Sequence, residues 1–202
     1  MKKYIYFSFF ICGILHSHAQ VNEDFSDTNL LTNPIWYGQT DSFIVNNSFQ
    51  LQLNTASAGT SYISTSSHTV KGKTEWSFWI KLGFSGSANN YTKFYIAADD
   101  DNLIDTSLQG YYFRFGENGN ADAVRFYKQK GTQHQLLFSG KDSAIAGSFS
   151  MYIKIIYSDS GYWKYYSSYG EEKKYTLEEV YNDTIPFIMT HLGLVCTYTK
   201  SN

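Results

Sequence analysis

The sequence predicts an all-β protein, an antiparallel β-sandwich of about a dozen short strands. Three observations predict it. Apolar residues recur at every second position in run after run, the spacing of a strand with one buried face. Clusters of Asn, Asp, Ser and Gly separate the runs at intervals of about 8–12 residues. Aromatic residues make up 18% of the chain, led by Tyr, and helical periodicity is hard to find; that composition favours strands.

The chain opens on a different pattern. Met1, Lys2 and Lys3 form a short positive segment, Tyr4 to Leu15 are apolar, and Ser17, His18 and Ala19 place small residues at −3 and −1 of a cleavage site. This order is that of a secretory signal, with cleavage expected between Ala19 and Gln20. The apolar run is shorter than the roughly 20 residues a membrane-spanning helix needs. Cys12 follows Ile11, whereas a lipid-anchored Cys wants a small residue before it, so Cys12 is expected to leave with the signal. No later segment is apolar enough to span a membrane. The expected organisation is a signal peptide over 1–19 and one sandwich domain over 20–202, secreted or displayed on the outer cell surface.

The strands then follow in order. Phe43 and Val45, a turn at Asn46-Asn47-Ser48, and Phe49, Leu51 and Leu53 read as a hairpin. Thr74 to Leu82 is the clearest strand: Trp76, Phe78, Ile80 and Leu82 fall on one face, and Glu75, Ser77, Trp79 and Lys81 on the other. Phe94, Ile96 and Ala98 oppose Tyr91, Lys93 and Tyr95. Tyr111, Phe113 and Phe115 oppose Tyr112 and Arg114. After the Asn118-Gly119-Asn120 turn, Val124 and Phe126 oppose Ala123, Arg125 and Tyr127, and Leu136 and Phe138 begin the next inner face. Phe149, Met151, Ile153, Ile155 and Tyr157 form the longest alternating series. Asp159-Ser160-Gly161 turns the chain towards Trp163 and Tyr165, and Leu192, Leu194, Cys196 and Tyr198 share the last inner face. Thr176 to Tyr181 reads as a loop excursion.

Composition narrows the function classes. About 180 residues remain after the signal, an ordinary size for one domain. Cys196 is then the sole Cys, so the mature chain holds no internal disulfide; within Leu192-Gly193-Leu194-Val195-Cys196 it reads as a buried strand residue. The formal charge is −2, and loss of Lys2 and Lys3 lowers the side-chain total by two more, to about −4. No basic stripe appears, which argues against nucleic acid.

Several stretches together carry a resemblance: Asp24-Phe25-Ser26-Asp27, Asn33-Pro34-Ile35-Trp36, Phe43-Ile44-Val45-Asn46, Leu51-Gln52-Leu53, Ala58-Gly59-Thr60-Ser61-Tyr62, Gly110-Tyr111-Tyr112 and Val124-Arg125-Phe126-Tyr127. They resemble the N-terminal concanavalin A-like (laminin-G-like) jelly-roll domain of large Bacteroidota-type surface proteins, often found with lamin-tail domains. The resemblance implies a jelly roll, further domains C-terminal to this one, and no catalytic residues to carry over. The family pattern continues into another strand beyond Lys200-Ser201-Asn202, so the sandwich is expected to lack its last strand and the chain to be a fragment of a longer one.

Candidate sites follow from the strand faces. Trp79, Tyr95, Tyr112, Arg114, Tyr127 and Tyr152 all fall opposite the predicted core, among polar neighbours. Aromatic rings stack on the C–H faces of sugars while polar groups serve the hydroxyls, and the same surface suits an extracellular protein. One bulge would exchange the faces of a strand. Asp99, Asp100, Asp101 and Asp105 supply clustered oxygens of the kind calcium prefers, though not at EF-hand spacing; a solvated acidic turn is the plainer reading. Glycosidase chemistry needs two carboxylates about 5–5.5 Å apart for retention. Glu171-Glu172 and Glu178-Glu179 are adjacent pairs that cannot share a strand face, and His68, His134 and His191 belong to no metal motif. The expected function is therefore a non-catalytic surface module that binds carbohydrate or adheres. A structural spacer, or a hydrolase or lyase of sandwich fold, are the alternatives.

Overall fold

The structure, a computed structural model, describes residues 21–68, 73–170, 172–184 and 188–200. The expected cleavage site between Ala19 and Gln20 lies outside them. Among the described residues no helix is long and apolar enough to cross a membrane.

Two antiparallel sheets face each other. The larger has seven strands: β1 (Trp36–Gly38), β4 (Gly59–Ser66), β6 (Tyr91–Ala98), β7 (Gln109–Phe115), β8 (Arg125–Lys130), β9 (Gln133–Ser139) and β13 (His191–Tyr198). They run in the order β1-β4-β13-β6-β7-β8-β9. The smaller has β5 (Thr74–Leu82), β10 (Phe149–Tyr157), β11 (Tyr162–Tyr169) and β12 (Thr176–Asn182), in the order β12-β11-β10-β5. The hairpin β2 (Phe43–Val45) and β3 (Leu51–Leu53) stands apart.

The core fills the space between the sheets. From the smaller sheet it takes Trp76, Phe78 and Ile80, then Met151, Ile153 and Ile155, then Trp163 and Tyr165; from the larger, Phe94, Phe113, Phe115, Phe126 and Phe138. Phe113 is fully buried at its centre, 4.6 Å from the Phe126 ring and 5.5 Å from that of Tyr165. Burying one such side chain contributes about 1.5–3 kcal/mol. A second cluster beneath the hairpin gathers Trp36, Phe43, Ile63, Leu192 and Cys196. Burial raises the Cys196 thiol pKa to about 11, so it is a packed apolar residue rather than a nucleophile.

Three local readings change. Thr176 to Tyr181 is a strand, β12. It lies at the sheet edge, exposes Leu177 and Val180, and meets a bulge at Tyr165/Tyr166, which together blur its alternation. A bulge between Tyr95 and Ala97 moves Ala97 into the core and turns Ala98 outward beside Tyr95. A bulge at Phe126/Tyr127 sets Leu136 opposite Tyr127, facing outward and 43% exposed, while Leu137 joins Phe138 in the core.

Candidate functional site

The six residues expected on one aromatic face divide between two. Trp79 and Tyr152 stand directly opposite each other on β5 and β10, on the outer face of the four-stranded sheet. Tyr95, Tyr112, Arg114 and Tyr127 lie on the outer face of the seven-stranded sheet, on the far side of the sandwich. Alternation tells which residues point away from the core, but each sheet has its own outer face.

On the seven-stranded sheet, register builds a row of tyrosines across three neighbouring strands. Tyr95 stands opposite Tyr112, and Tyr112 opposite Tyr127. Their ring centroids are 5.0 and 5.1 Å apart, the second pair nearly parallel at 14°. Gly110 makes room for the row's inner end: a Cβ there would lie 2.6 Å from the Ala97 carbonyl oxygen and 3.2 Å from the Tyr95 ring. The connection from Asp99 to Leu108 folds back over that end and packs Leu103 and Leu108 against Tyr95. Leu103 sits over Gly193, where a Cβ would come within 2.9 Å of its Cδ1.

Exposure grows along the row. Tyr95 is 1% exposed and Tyr112 2%, while Tyr127 is only partly buried. The Tyr95 hydroxyl donates to Gln129 Oε1 at 2.5 Å, and Gln129 Nε2 donates to the Gly131 carbonyl at 2.9 Å. The Tyr112 hydroxyl meets His134 Nδ1 at 3.1 Å. Burial holds both phenols well above their ordinary pKa. Tyr95 and Tyr112 are thus the foundation of the face, not its contact surface. What reaches solvent is Tyr127, Leu136 and His134 at one side, with Tyr91, Lys93 and Arg114 at the other. Lys93 and Tyr91 share the parity of Tyr95 on β6, a signal that could have added them to the expected set. His134, on a strand whose outward run is disturbed by a bulge, could not be placed so.

Cations gather at the same end. Lys93 stands opposite Arg114, and Arg114 opposite Arg125. Arg125 pairs with Glu117 at 2.8 Å. Arg114 donates from Nε to the Gly116 carbonyl at 3.1 Å, and its guanidinium lies 4.4 Å over the Tyr91 ring. Lys93 Nζ lies 5.0 Å over the Tyr112 ring. Burial, then the neighbouring Arg114, lowers the Lys93 pKa to about 8. His134 is held below its ordinary value by burial, then by Lys93 and Arg114. Asp122 lies buried near the two arginines, and burial raises its pKa despite their pull and that of the Glu117 amide.

The outer face of the four-stranded sheet is covered differently. Lys154 lies over Tyr166 and Tyr175 at 4.9 and 4.5 Å, and Lys173 over Tyr152 at 5.0 Å. The Tyr175 hydroxyl meets Ser77 Oγ at 3.0 Å, so the connection before β12 lies across this face and its lysines occupy the rings. Trp79 is partly buried there.

In the acidic connection between β6 and β7, the carboxylates of Asp99, Asp100 and Asp105 accept from groups of the connection itself and from Gln109. Asp99 accepts from the Gln109 amide at 2.8 Å and from Gln109 Nε2 at 3.0 Å. Asp100 accepts from the Asn102 amide at 2.8 Å, and Asp105 from the Ser107 amide and hydroxyl at 2.7 and 2.6 Å. Asp101 gives its carbonyl oxygen to Ser64 Oγ at 2.7 Å. Among the described residues no three His, Cys, Asp or Glu side chains converge as a metal site. Asp100 and Asp105 are thereby local Asx-type caps, and Asp99 ties the start of the connection to its end.

A polar depression of about 240 Å³ lies beside β11 and β12, lined by Ser167, Ser168, Tyr169 and Glu178 among others. Its groups satisfy one another: Ser167 Oγ donates to Glu178 at 2.5 Å, Ser168 Oγ to the Glu172 carbonyl, and Lys174 pairs with Glu172 at 2.7 Å. Glu179, set opposite Tyr165 beside the bulge, does not line this depression.

Known proteins place the architecture. No family model matches the chain, and no curated protein does. Solved structures do. The carbohydrate recognition domain of Emp46p, in a potassium-bound form, superposes with a TM-score of 0.58 at 11% identity, covering 89% of each chain. The lumenal domain of VIP36 bound to calcium and mannose gives 0.55 at 10% identity, over 82% of this chain and 76% of that one. The carbohydrate-binding module CBM66 from Bacillus subtilis gives 0.50 at 14% identity, over 81% and 92%.

The fold is that of the legume-lectin-like sandwiches. At such identities the likeness shows the fold alone, and what those proteins bind is theirs.

Proposed function

We propose that this protein is a non-catalytic, exported carbohydrate-binding module whose site is the outer face of the seven-stranded sheet. The tyrosine row carries the reading. Two buried phenols, locked by Gln129 and His134, fix the ring of Tyr127 at a surface flanked by hydrogen-bonding groups. A rigid ring beside polar donors is what a sugar's C–H face and hydroxyls require, and its order is established before binding. The lectin and carbohydrate-binding folds of the similar structures support the same reading. The resemblance to the N-terminal jelly-roll domain of large surface proteins supports placing it in a larger surface protein reached through the signal peptide.

Affinity electrophoresis and glycan-array binding test the site. Tyr127→Ala is expected to abolish retention on the polysaccharides that the parent protein binds and to leave the fold intact, while Trp79→Ala, on the far sheet, leaves retention unchanged. Loss with Trp79→Ala alone would move the site to the other face. The near-complete burial of Tyr95 and Tyr112 favours one second reading, a spacer in which the row is simply an outer core; absence of retention on a broad array would establish it.

A further inference from the structure

We propose that the glycan taken by this face is acidic, its carboxylate or sulfate held between Lys93 and Arg114. The inference rests on the glycan-binding reading above and adds the chemical class of the ligand.

The register sets three cations in line across β6, β7 and β8: Lys93, Arg114 and Arg125. Like charges directly opposite on neighbouring strands destabilise a sheet. Only Arg125 is compensated by an ion pair, with Glu117. Among the described residues the other ion pairs are Lys128 with Asp183 and Lys174 with Glu172, so Lys93 and Arg114 enter none. Glu117 and Asp122 both pull on Arg114 without pairing with it, whereas what acts on Lys93 is burial and Arg114. Asp100 and Asp101 act at the opposite end of the face, on Tyr62 and His191. This arrangement belongs to a chain with 18 Asp and Glu against 16 Lys and Arg, so a generally basic surface does not account for it.

Placement argues the same way. Each cation lies over a ring, Lys93 over Tyr112 and Arg114 over Tyr91, which fixes its position and strips part of its water. Side chains directly opposite on paired strands start from Cβ atoms about 4.5–5.5 Å apart, and the rings under the two heads, Tyr112 and Tyr91, lie to either side of the pair, so an anion would sit between them. Such an anion collects two charge-assisted pairs at once and relieves the repulsion between them. The groups around Lys93 are Tyr91 and Tyr95 on its own strand, Tyr112 and Arg114 on β7, Val195 on β13, and His134 beyond the row. The field at Lys93 and at His134 is positive, and no acid offsets it.

The test uses matched polysaccharides: polygalacturonate against its methyl ester, and dextran sulfate against dextran, with polyglutamate as an acidic non-glycan. Titration calorimetry at low salt is expected to show at least tenfold tighter binding to polygalacturonate or dextran sulfate than to its neutral counterpart. The preferred member of the two pairs tells carboxylate from sulfate. Lys93→Gln and Arg114→Gln are each expected to weaken acidic-glycan binding at least tenfold, with unfolding midpoints no lower than the parent's, and Lys154→Gln on the far sheet to leave it unchanged. Equal binding of charged and neutral glycans would overturn the acidic inference and leave the glycan reading standing. Equal binding of polyglutamate would overturn it too, because the face would then read charge alone. Binding to none of these and to no neutral glycan would overturn both.

Discussion

The seven-stranded and four-stranded sheets are tied together at one end by a single carboxylate, and its removal gives a sharp test of the packing. Asp183 follows β12. Its Oδ2 accepts from the Tyr111 hydroxyl at 2.6 Å, and both its oxygens accept from Lys128 Nζ at 2.9 and 2.8 Å. Its carbonyl accepts from Trp163 Nε1 at 2.8 Å. Tyr111 and Lys128 belong to the larger sheet and Trp163 to the smaller. Asp183→Ala keeps the backbone bond to Trp163 and deletes the rest. A hydrogen bond to a charged group is worth about 1.5–3 kcal/mol. The Lys128 pair, with both side chains about one-fifth exposed, adds up to about 1 kcal/mol. The Tyr111 hydroxyl keeps a weaker acceptor, the Thr184 carbonyl at 3.3 Å. The expected loss is therefore about 2–3 kcal/mol, or about 4–12 °C in melting temperature for a domain of this size. Urea unfolding should show a lower midpoint with an unchanged slope. Tyr111→Phe should cost a similar amount, and the double variant should fall short of the sum by at least about 1 kcal/mol. Full additivity, or a loss below about 0.5 kcal/mol for Asp183→Ala, would refute the shared bond.

Two further outcomes follow from the packing and the charges. Phe113→Ala removes the central ring of the core and is expected to cost about 3–5 kcal/mol in urea unfolding; a loss below about 2 kcal/mol would mean that the surrounding rings collapse into the space. Lys93→Gln is expected to stabilise the protein at pH 7. The folded pKa of about 8 lies below the ordinary 10.5, so the unfolded chain holds the proton more firmly between those values and stability rises with pH across that window. The advantage of the variant should therefore shrink from pH 7 to pH 10.5. A variant less stable at pH 7, or an advantage that does not change with pH, would contradict the burial of that ammonium.

Much of this protein is legible strand by strand. Trp76, Phe78, Ile80 and Leu82 could be assigned to the core from spacing alone, because β5 pairs with β10 without a bulge along its whole length. Phe149 to Tyr157 reads equally well for the same reason. The errors fall where local spacing fails. At Ala98 and Leu136 a bulge inserts one residue and reverses the parity beyond it. In β12 the edge position leaves Tyr181 packed against the core, while Leu177 and Val180 are exposed and out of step with each other across the bulge, so no alternation marks the strand. The acidic run from Asp99 to Asp105 shows clustered oxygens in sequence, and only the folded connection shows that Asp100 and Asp105 cap its turns through the amides of Asn102 and Ser107.

The candidate face shows the division most clearly. The sequence by itself determined that Trp79, Tyr95, Tyr112, Arg114, Tyr127 and Tyr152 point away from the core, since side-chain direction along a strand is a local, two-residue property. The tertiary structure alone decided that the first and last of them lie on one sheet and the other four on the opposite one. It also decided that Tyr95 and Tyr112 are covered, because the Asp99–Leu108 connection folds back over them, and that Lys93 faces Arg114. Those outcomes depend on which distant strands pair and in what register, and pairing is set by the fit of whole faces across the sandwich rather than by any one segment.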